Sequence, residues 1–407
     1  MLKNISVYEF IFYVLLMAIP VVDCITGYLL LSNSNIGSTI GQFLRIVTII
    51  FLFLSTFNRQ RLDNFLFISL FCFCLFLIPV FNYFRTGSVQ GYIDETIYTT
   101  KLILPILMIL GIYNARKDKK ISSNFIDNIF SFYIIFVPLS LIIPKILGIG
   151  YVTYENFDVG YKGFYYAGNE LNILLLSISV LSFQKMTEKF TVYNAITALI
   201  CLGSLFLVGT KTSFLVIIFL IIYNLIKKRD LKNKFKVILV VVLVLCISYF
   251  LVNTIFKDQI EKLLLKNQYY YETLSGSNDS ITNFIFSNRN ARIGINFEKN
   301  YIENSNEGLF FKIFFGVGHY QQFKSTSLNS IIEMDFFDTL LWYGLFAALA
   351  IFTFYTYVLY IGIIRKKNKE YLLCYLLIYL FSLMAGHVWY SALAGSVFGM
   401  IGSKVLE

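Results

Sequence analysis

The sequence predicts an all-α polytopic membrane protein of about twelve transmembrane helices, with one large extracytoplasmic loop between spans nine and ten. Three observations carry this. Only 14% of the 407 residues are charged and 57% are hydrophobic, whereas soluble domains carry about 25% charged residues. Apolar runs close to the roughly 20 residues that a spanning helix requires recur along the chain. Lysines and arginines cluster in every second connection between those runs, as orientation signals do.

The apolar runs are 8–31, 37–57, 63–84, 93–113, 124–147, 169–186, 191–209, 211–226, 236–256, 335–363, 371–388 and 390–403. Almost no loop separates the last two, so eleven spans with a re-entrant hairpin is the alternative. The first run has no small-residue cleavage site and reads as a span, not a cleaved signal. The basic clusters are Arg59/Arg61, Arg116/Lys117/Lys119/Lys120, Lys185/Lys189, the six cations from Lys227 to Lys236, and Arg365/Lys366/Lys367/Lys369. With Lys3 and Lys404 they put twenty basic residues on one side, against Arg85, Lys162 and Lys211 in the short connections opposite. That bias sets the N-terminus in the cytoplasm and the polar stretch 257–333 outside. The expected organisation is nine helices over 1–256, a loop over 257–333 packed on the bundle, and three helices over 334–407.

Several function classes drop out. A net charge of +10 invites a nucleic-acid reading, but the charges sit in short connections and no nucleic-acid motif is present. All six cysteines lie in apolar runs, so no disulfide framework is implied. Cys72 and Cys74, separated by one residue of a helix, fall on different faces and read as small hydrophobes and not metal ligands. No nucleotide-binding motif occupies the cytoplasmic connections, and no compact Asp-x-Asp stands there to hold a metal. The expectation is an activity without ATP, metal or cofactor.

Charges within the apolar runs are the first candidates for function. Lys145 follows Pro144 near a span end, where it can snorkel. Arg45 and Lys101 lie within helices, where each costs about 3 kcal/mol at mid-bilayer without a partner or polar cavity. They either pair internally, with Asp23 or with Asp94/Glu95, or form an anion site. Lys211, in Gly209-Thr210-Lys211-Thr212-Ser213, adds a cation at a helix N-terminus, where backbone donors favour anions. Cations rimming an apolar bundle suit lipids that carry phosphate or diphosphate.

The polar stretch holds the rest. Short helices are expected around Gln259–Leu265 and Asn283–Tyr301. Arg289 and Arg292 are three apart and share a helix face, and guanidinium forks suit phosphate oxygens; the alternative is two solvated arginines. The Gly316-Val317-Gly318 turn allows close backbone approach to a ligand. His319 reads as a base, a sugar hydrogen-bonder or a surface residue. His387, near a span end, reads as a ligand contact or an interhelical hydrogen bond. Glu333 and Asp335 open the tenth span as acidic N-terminal residues; Glu333, beside apolar Ile331, Ile332 and Met334, is the candidate general base. Tyr269, Tyr270, Tyr271 and Tyr320 are candidates to stack on sugars, or members of an interfacial aromatic belt.

The chain resembles the O-antigen polymerase/ligase superfamily, and more narrowly its Wzy-type repeat-unit polymerases. The elements run in order: Pro20-Val21-Val22-Asp23-Cys24-Ile25-Thr26-Gly27; Tyr161 to Asn172, with Asn169 at a helix start; Gly209 to Ser213, where many relatives have Ser-Arg; Ser287 to Arg292; Phe315 to Gly318; Glu333 through Tyr343-Gly344; and Met384-Ala385-Gly386-His387 to Ala394-Gly395. Ligase members place a histidine eleven residues before that glycine. Glu333 stands there instead, which favours a polymerase over a lipid A-core ligase. The resemblance implies a metal-independent, inverting transfer of glycan between undecaprenyl-diphosphate-linked repeat units at the outer face of a bacterial plasma membrane. Glu333, Arg289, Arg292 and His319 would be catalytic, with Arg45, Lys101, Lys211, Asn169, Tyr270, Asp335 and His387 binding substrate. The bilayer and the lipid-linked oligosaccharide are the implied partners, with a flippase and a chain-length regulator of the same pathway. The rival readings are a flippase, a ligase-like transferase to another acceptor, and a non-catalytic receptor.

Overall fold

The computed structural model describes residues 5–32, 36–57, 62–155, 158–226, 286–303, 308–325 and 331–407. The expected span 236–256, the cations 227–236, Arg59, Arg61, Lys3, the helix Gln259–Leu265 and Tyr269–Tyr271, with Tyr270, lie outside them. Five described helices are long and apolar enough to cross a membrane: Val7–Leu31 (α1), Phe65–Thr86 within α3 (Leu62–Thr86), Val89–Lys117 (α4), Phe125–Ile146 (α5) and Asp335–Arg365. Shorter apolar helices include Ile40–Thr56 within α2 (Ile36–Thr56), Val192–Val208 (α7), part of Lys211–Ile226 (α8), and Ala392–Val405. All five prolines of the chain, Pro20, Pro79, Pro105, Pro138 and Pro144, lie inside α1, α3, α4 and α5. Proline interrupts soluble helices, but membrane helices tolerate it because neighbours re-satisfy the freed carbonyls.

The chain divides into two compact units, one of Met1–Glu9, Arg45–Ser123 and Leu274–Glu407, the other of Phe10–Leu44 and Asn124–Thr273. The second unit corrects the all-α expectation. Between α5 and α6 (Gly168–Glu188), Tyr151–Tyr154 (β1) and Val159–Gly163 (β2) pair as an antiparallel hairpin. Its alternation buries Val159, Tyr161 and Gly163. Gly160 (φ +72) sits so close to the carbonyl of Val208 that a Cβ would collide with it, which seats the hairpin on the end of α7. Alternation over four or five residues is too short to stand out among so many apolar residues.

In the first unit α4 is the axis, buried over most of Leu102–Ile112. The Ala392–Val405 helix lies on it through Gly395, Gly399 and Gly402, where a Cβ would meet Pro105, Met108 or Ile109. Small residues at such a seam let helix backbones approach, as membrane packing requires.

The expected tenth span is Asp335–Arg365, broken at Gly344 (φ +81, ψ 178). A break leaves the preceding carbonyls without their i+4 donors. Two are supplied from outside the helix: Val317 N–H donates to Leu341 O (2.8 Å) and Gly318 N–H to Trp342 O (3.2 Å). Gly344 also lies against the carbonyl of Phe314, and Gly316 against that of Trp342, where side chains would collide. The segment 308–325 is thus bolted to the break. Its helices, Leu309–Phe315 and His319–Ser325, follow Arg289–Phe297 and a wider π-turn over Glu298–Glu303. In its described residues the polar stretch thus holds two short helices, Leu309–Phe315 and His319–Ser325, beyond the one expected around Asn283–Tyr301.

Candidate functional site

Arg289 and Arg292 lie on the Arg289–Phe297 helix and both turn toward Glu333. Arg289 Nη2 is 2.8 Å from Glu333 Oε2, and Arg292 Nη1 is 3.7 Å from Oε1. Arg292 also donates to the carbonyl of Ile331 (3.0 Å) and Arg289 to that of Phe286 (3.4 Å). Two cations thus flank one carboxylate, whose side chain keeps 31% of its surface open against 14% for Arg289.

The arginine helix is held from below by a buried polar relay. Asn296 donates to Arg292 O (2.8 Å) and accepts from Gln322 (2.7 Å), and Gln322 in turn accepts from the Trp342 indole N–H. Asn300 continues the chain by donating to Asn296 O (2.9 Å). All four side chains are buried. A buried polar group left unmatched costs about 1–3 kcal/mol, so the relay fixes the helix in register with the broken helix. Asn296 lies four residues after Arg292, so the i, i+4 spacing was a readable signal; Gln322 gave none.

Glu333 itself is held in an unusual backbone state, φ +62. Its carbonyl packs on Gly386 (φ +61), where any Cβ would strike it. Asp335, 0% exposed, anchors that opposing turn by accepting from Val388 N–H (2.9 Å) and Trp389 N–H (3.1 Å) through Oδ2. Asp338, one turn on and equally buried, accepts from Met334 N–H (3.0 Å). Asp335, expected to meet substrate, has its Oδ2 engaged by the turn that packs on the Glu333 carbonyl. Its spacing from Asp338 places both on one face, which would have revealed the pair.

The Gly316-Val317-Gly318 turn packs closely on protein groups. Gly318 lies against the Glu95 carboxylate and Asn82, which are hydrogen-bonded to each other (2.8 Å), and Arg85 donates to Val317 O. The Tyr320 ring lies on Gly91 of α4. His319 is 7% exposed, with its ring stacked on Tyr98 at 3.6 Å and edge-on to Trp342 at 4.6 Å. Lys101 rests its ammonium 4.6 Å from the other partner of that stack, Tyr98. Burial first, and then the Lys101 charge, push the His319 imidazole down to about 3. Such a ring stays neutral at physiological pH and is a weak proton acceptor.

That state has a consequence for stability. The unfolded imidazole, near its ordinary value of about 6.5, binds a proton that the folded one refuses until about pH 3. The stability this contributes is complete above pH 6.5 and is lost as pH falls toward 3, by about 1.4 kcal/mol per unit. Wild type is expected to lose thermal stability between pH 6.5 and 4.5 more steeply than His319→Gln. Equal slopes in detergent melts would contradict the buried neutral ring.

The remaining expected residues are placed as follows. His387 (φ +62) is half-buried beside Gly386, within the turn that Asp335 anchors. Arg45 is half-buried on α2. Lys211 and Asn169 belong to the second unit, at the starts of α8 and α6. There Gly209 (φ +66) ends α7 and Thr210 caps Ser213 N–H (3.2 Å), while Ser213 donates to the buried Asn172 (3.0 Å). Asn172 ties α6 to α8. Among the described residues no cluster of His, Cys, Asp and Glu is arranged to hold a metal.

Residues 6–279 match the family described as O-antigen ligase like membrane protein. The chain belongs to that family. No curated protein and no solved structure matches it. The membership makes it a multi-pass membrane protein of a glycan-processing, glycosyl-transfer type, acting with lipid-linked glycans at a bilayer. The matched segment ends before Arg289, so the arginine–glutamate cluster is this O-antigen ligase-like protein's own geometry and rests on the contacts above.

Proposed function

We propose that this protein joins lipid-diphosphate-linked oligosaccharide units into a polysaccharide by glycosyl transfer at the extracytoplasmic face of a bacterial plasma membrane. The observation that carries it is the Arg289–Glu333–Arg292 cluster. The transfer requires an acceptor hydroxyl to attack the donor's anomeric carbon while the bond from that carbon to the diphosphate breaks. One proton must leave the hydroxyl, and negative charge must be received by the departing diphosphate. Two arginines and one carboxylate match those needs, and a single displacement with one carboxylate inverts the anomeric centre.

In the resting site the carboxylate neutralises the arginines. A diphosphate carries more charge and more acceptor oxygens than Glu333, so it displaces the carboxylate from the guanidinium forks. Glu333 is then released to accept the hydroxyl proton just when the leaving group is held. Asp335, Asp338 and Gly386 position that carboxylate. The buried His319 stack supports the floor of the site beneath the arginine helix.

The test is reconstitution of the purified protein in liposomes with the lipid-linked repeat unit as sole substrate. Ladders of regularly lengthening lipid-linked glycan are expected without nucleotide. Translocation without elongation would make the protein a flippase, and transfer only to an added acceptor a ligase.

A further inference from the structure

The Leu309–Phe315 helix is inside out for a water-bathed loop. Its lysine, Lys312, is 5% exposed and reaches inward to Asn300 O (3.5 Å). Outward stand Leu309, Phe310, Phe311, Ile313 and Phe315, with Phe310 72% exposed. An apolar patch of this kind on a polar segment marks an interaction surface.

What covers it follows from its neighbours. Phe311 and Phe315 meet Phe81 of α3, with ring centroids 6.4 and 6.5 Å apart. Phe314 meets Phe346, just past the break in the 335–365 helix, at 4.9 Å. Phe81 and Phe346 are themselves exposed, on two helices long and apolar enough to cross the membrane. Between these elements runs an apolar cavity of about 290 Å³, whose lining includes Phe71, Ile78, Phe314 and Phe315. The outward face of the short helix and the flanks of two spanning helices therefore form one unbroken apolar surface. The flanks of spanning helices face hydrocarbon, and no charged side chain of this helix interrupts the continuation.

We propose that the Leu309–Phe315 helix is embedded in the bilayer, its aromatic face against acyl chains and its lysine turned into the protein. Through the Lys312–Asn300 contact and the Gly316–Gly318 bolt, this sets the depth at which the arginine cluster sits, next to the lipid headgroups. A lipid-borne diphosphate would meet the arginines without leaving the membrane surface. The embedding does not depend on the proposed reaction, and its test has no activity readout.

Both native tryptophans, Trp342 and Trp389, are buried, so a tryptophan in place of Phe310 reports its own surroundings. In proteoliposomes of phosphatidylcholine brominated on its acyl chains, the extra emission of Phe310→Trp is expected to fall at least twofold, and aqueous iodide to leave it unchanged. Glu298→Trp, at the exposed start of the π-turn that follows the arginine helix, should show the reverse. Quenching of Phe310→Trp by iodide and not by brominated lipid would overturn the proposal. So would protection from both quenchers, which would mean that protein covers the helix.

Discussion

Replacing Glu333 by glutamine is expected to abolish polymer while protein level and the pool of single lipid-linked units stay intact. The amide matches the carboxylate in size and can still accept from Arg289, which lies 2.8 Å away. It cannot take the hydroxyl proton, and it leaves two guanidiniums with no counter-charge. Arg289→Ala should give the same phenotype by the other route, since one charge-stabilising donor at a leaving group is worth about 3 kcal/mol, or some hundredfold in rate. Arg292→Ala should cost less, because its nitrogen is 3.7 Å from the carboxylate and is shared with the carbonyl of Ile331. A charge swap separates chemistry from architecture. Arg289→Glu combined with Glu333→Arg preserves an ion pair, so recovered polymer would show that the pair only holds the site together. Full-length polymer from Glu333→Gln would remove Glu333 from the reaction altogether.

The helices were legible because apolar run length is a property of sequence alone, and Glu333 and the two arginines stood out as polar residues at the edge of an apolar bundle. What could not be read is what backbone geometry decides. Gly344 is one glycine in an apolar run, yet it breaks the helix and exposes carbonyls that Val317 and Gly318 fill. His319 looked like chemistry because histidine titrates near neutrality. Its burial against Tyr98 and Trp342, with the Lys101 charge nearby, holds the imidazole well below that range. Lys312, a cation of the polar stretch, is buried, while its aromatic neighbours Phe310 and Phe311 are exposed. Asp335 was legible as an acidic residue opening a helix, but the turn it anchors lies more than fifty residues away along the chain.

That anchor carries the largest expected effect on stability. Asp335→Ala removes the acceptor for two buried N–H groups, those of Val388 and Trp389. At about 1–3 kcal/mol per orphaned group, the loss is a large fraction of the roughly 5–15 kcal/mol that holds a domain folded. Asp335→Asn keeps an accepting oxygen in the same place and should recover most of the melting temperature in detergent. Gly386→Ala attacks the same junction from the other side: at φ +61 an added methyl both strains the turn and strikes the Glu333 carbonyl. It should move Glu333 off the arginines and lose polymer even in the fraction that remains folded. A folded, active Gly386→Ala protein, or an Asp335→Ala melt equal to wild type, would mean that the Glu333 backbone is held by something other than this turn. Because the two substitutions act on one contact, their double variant should cost clearly less than the sum of the two single effects. Two independent braces would instead give simple addition.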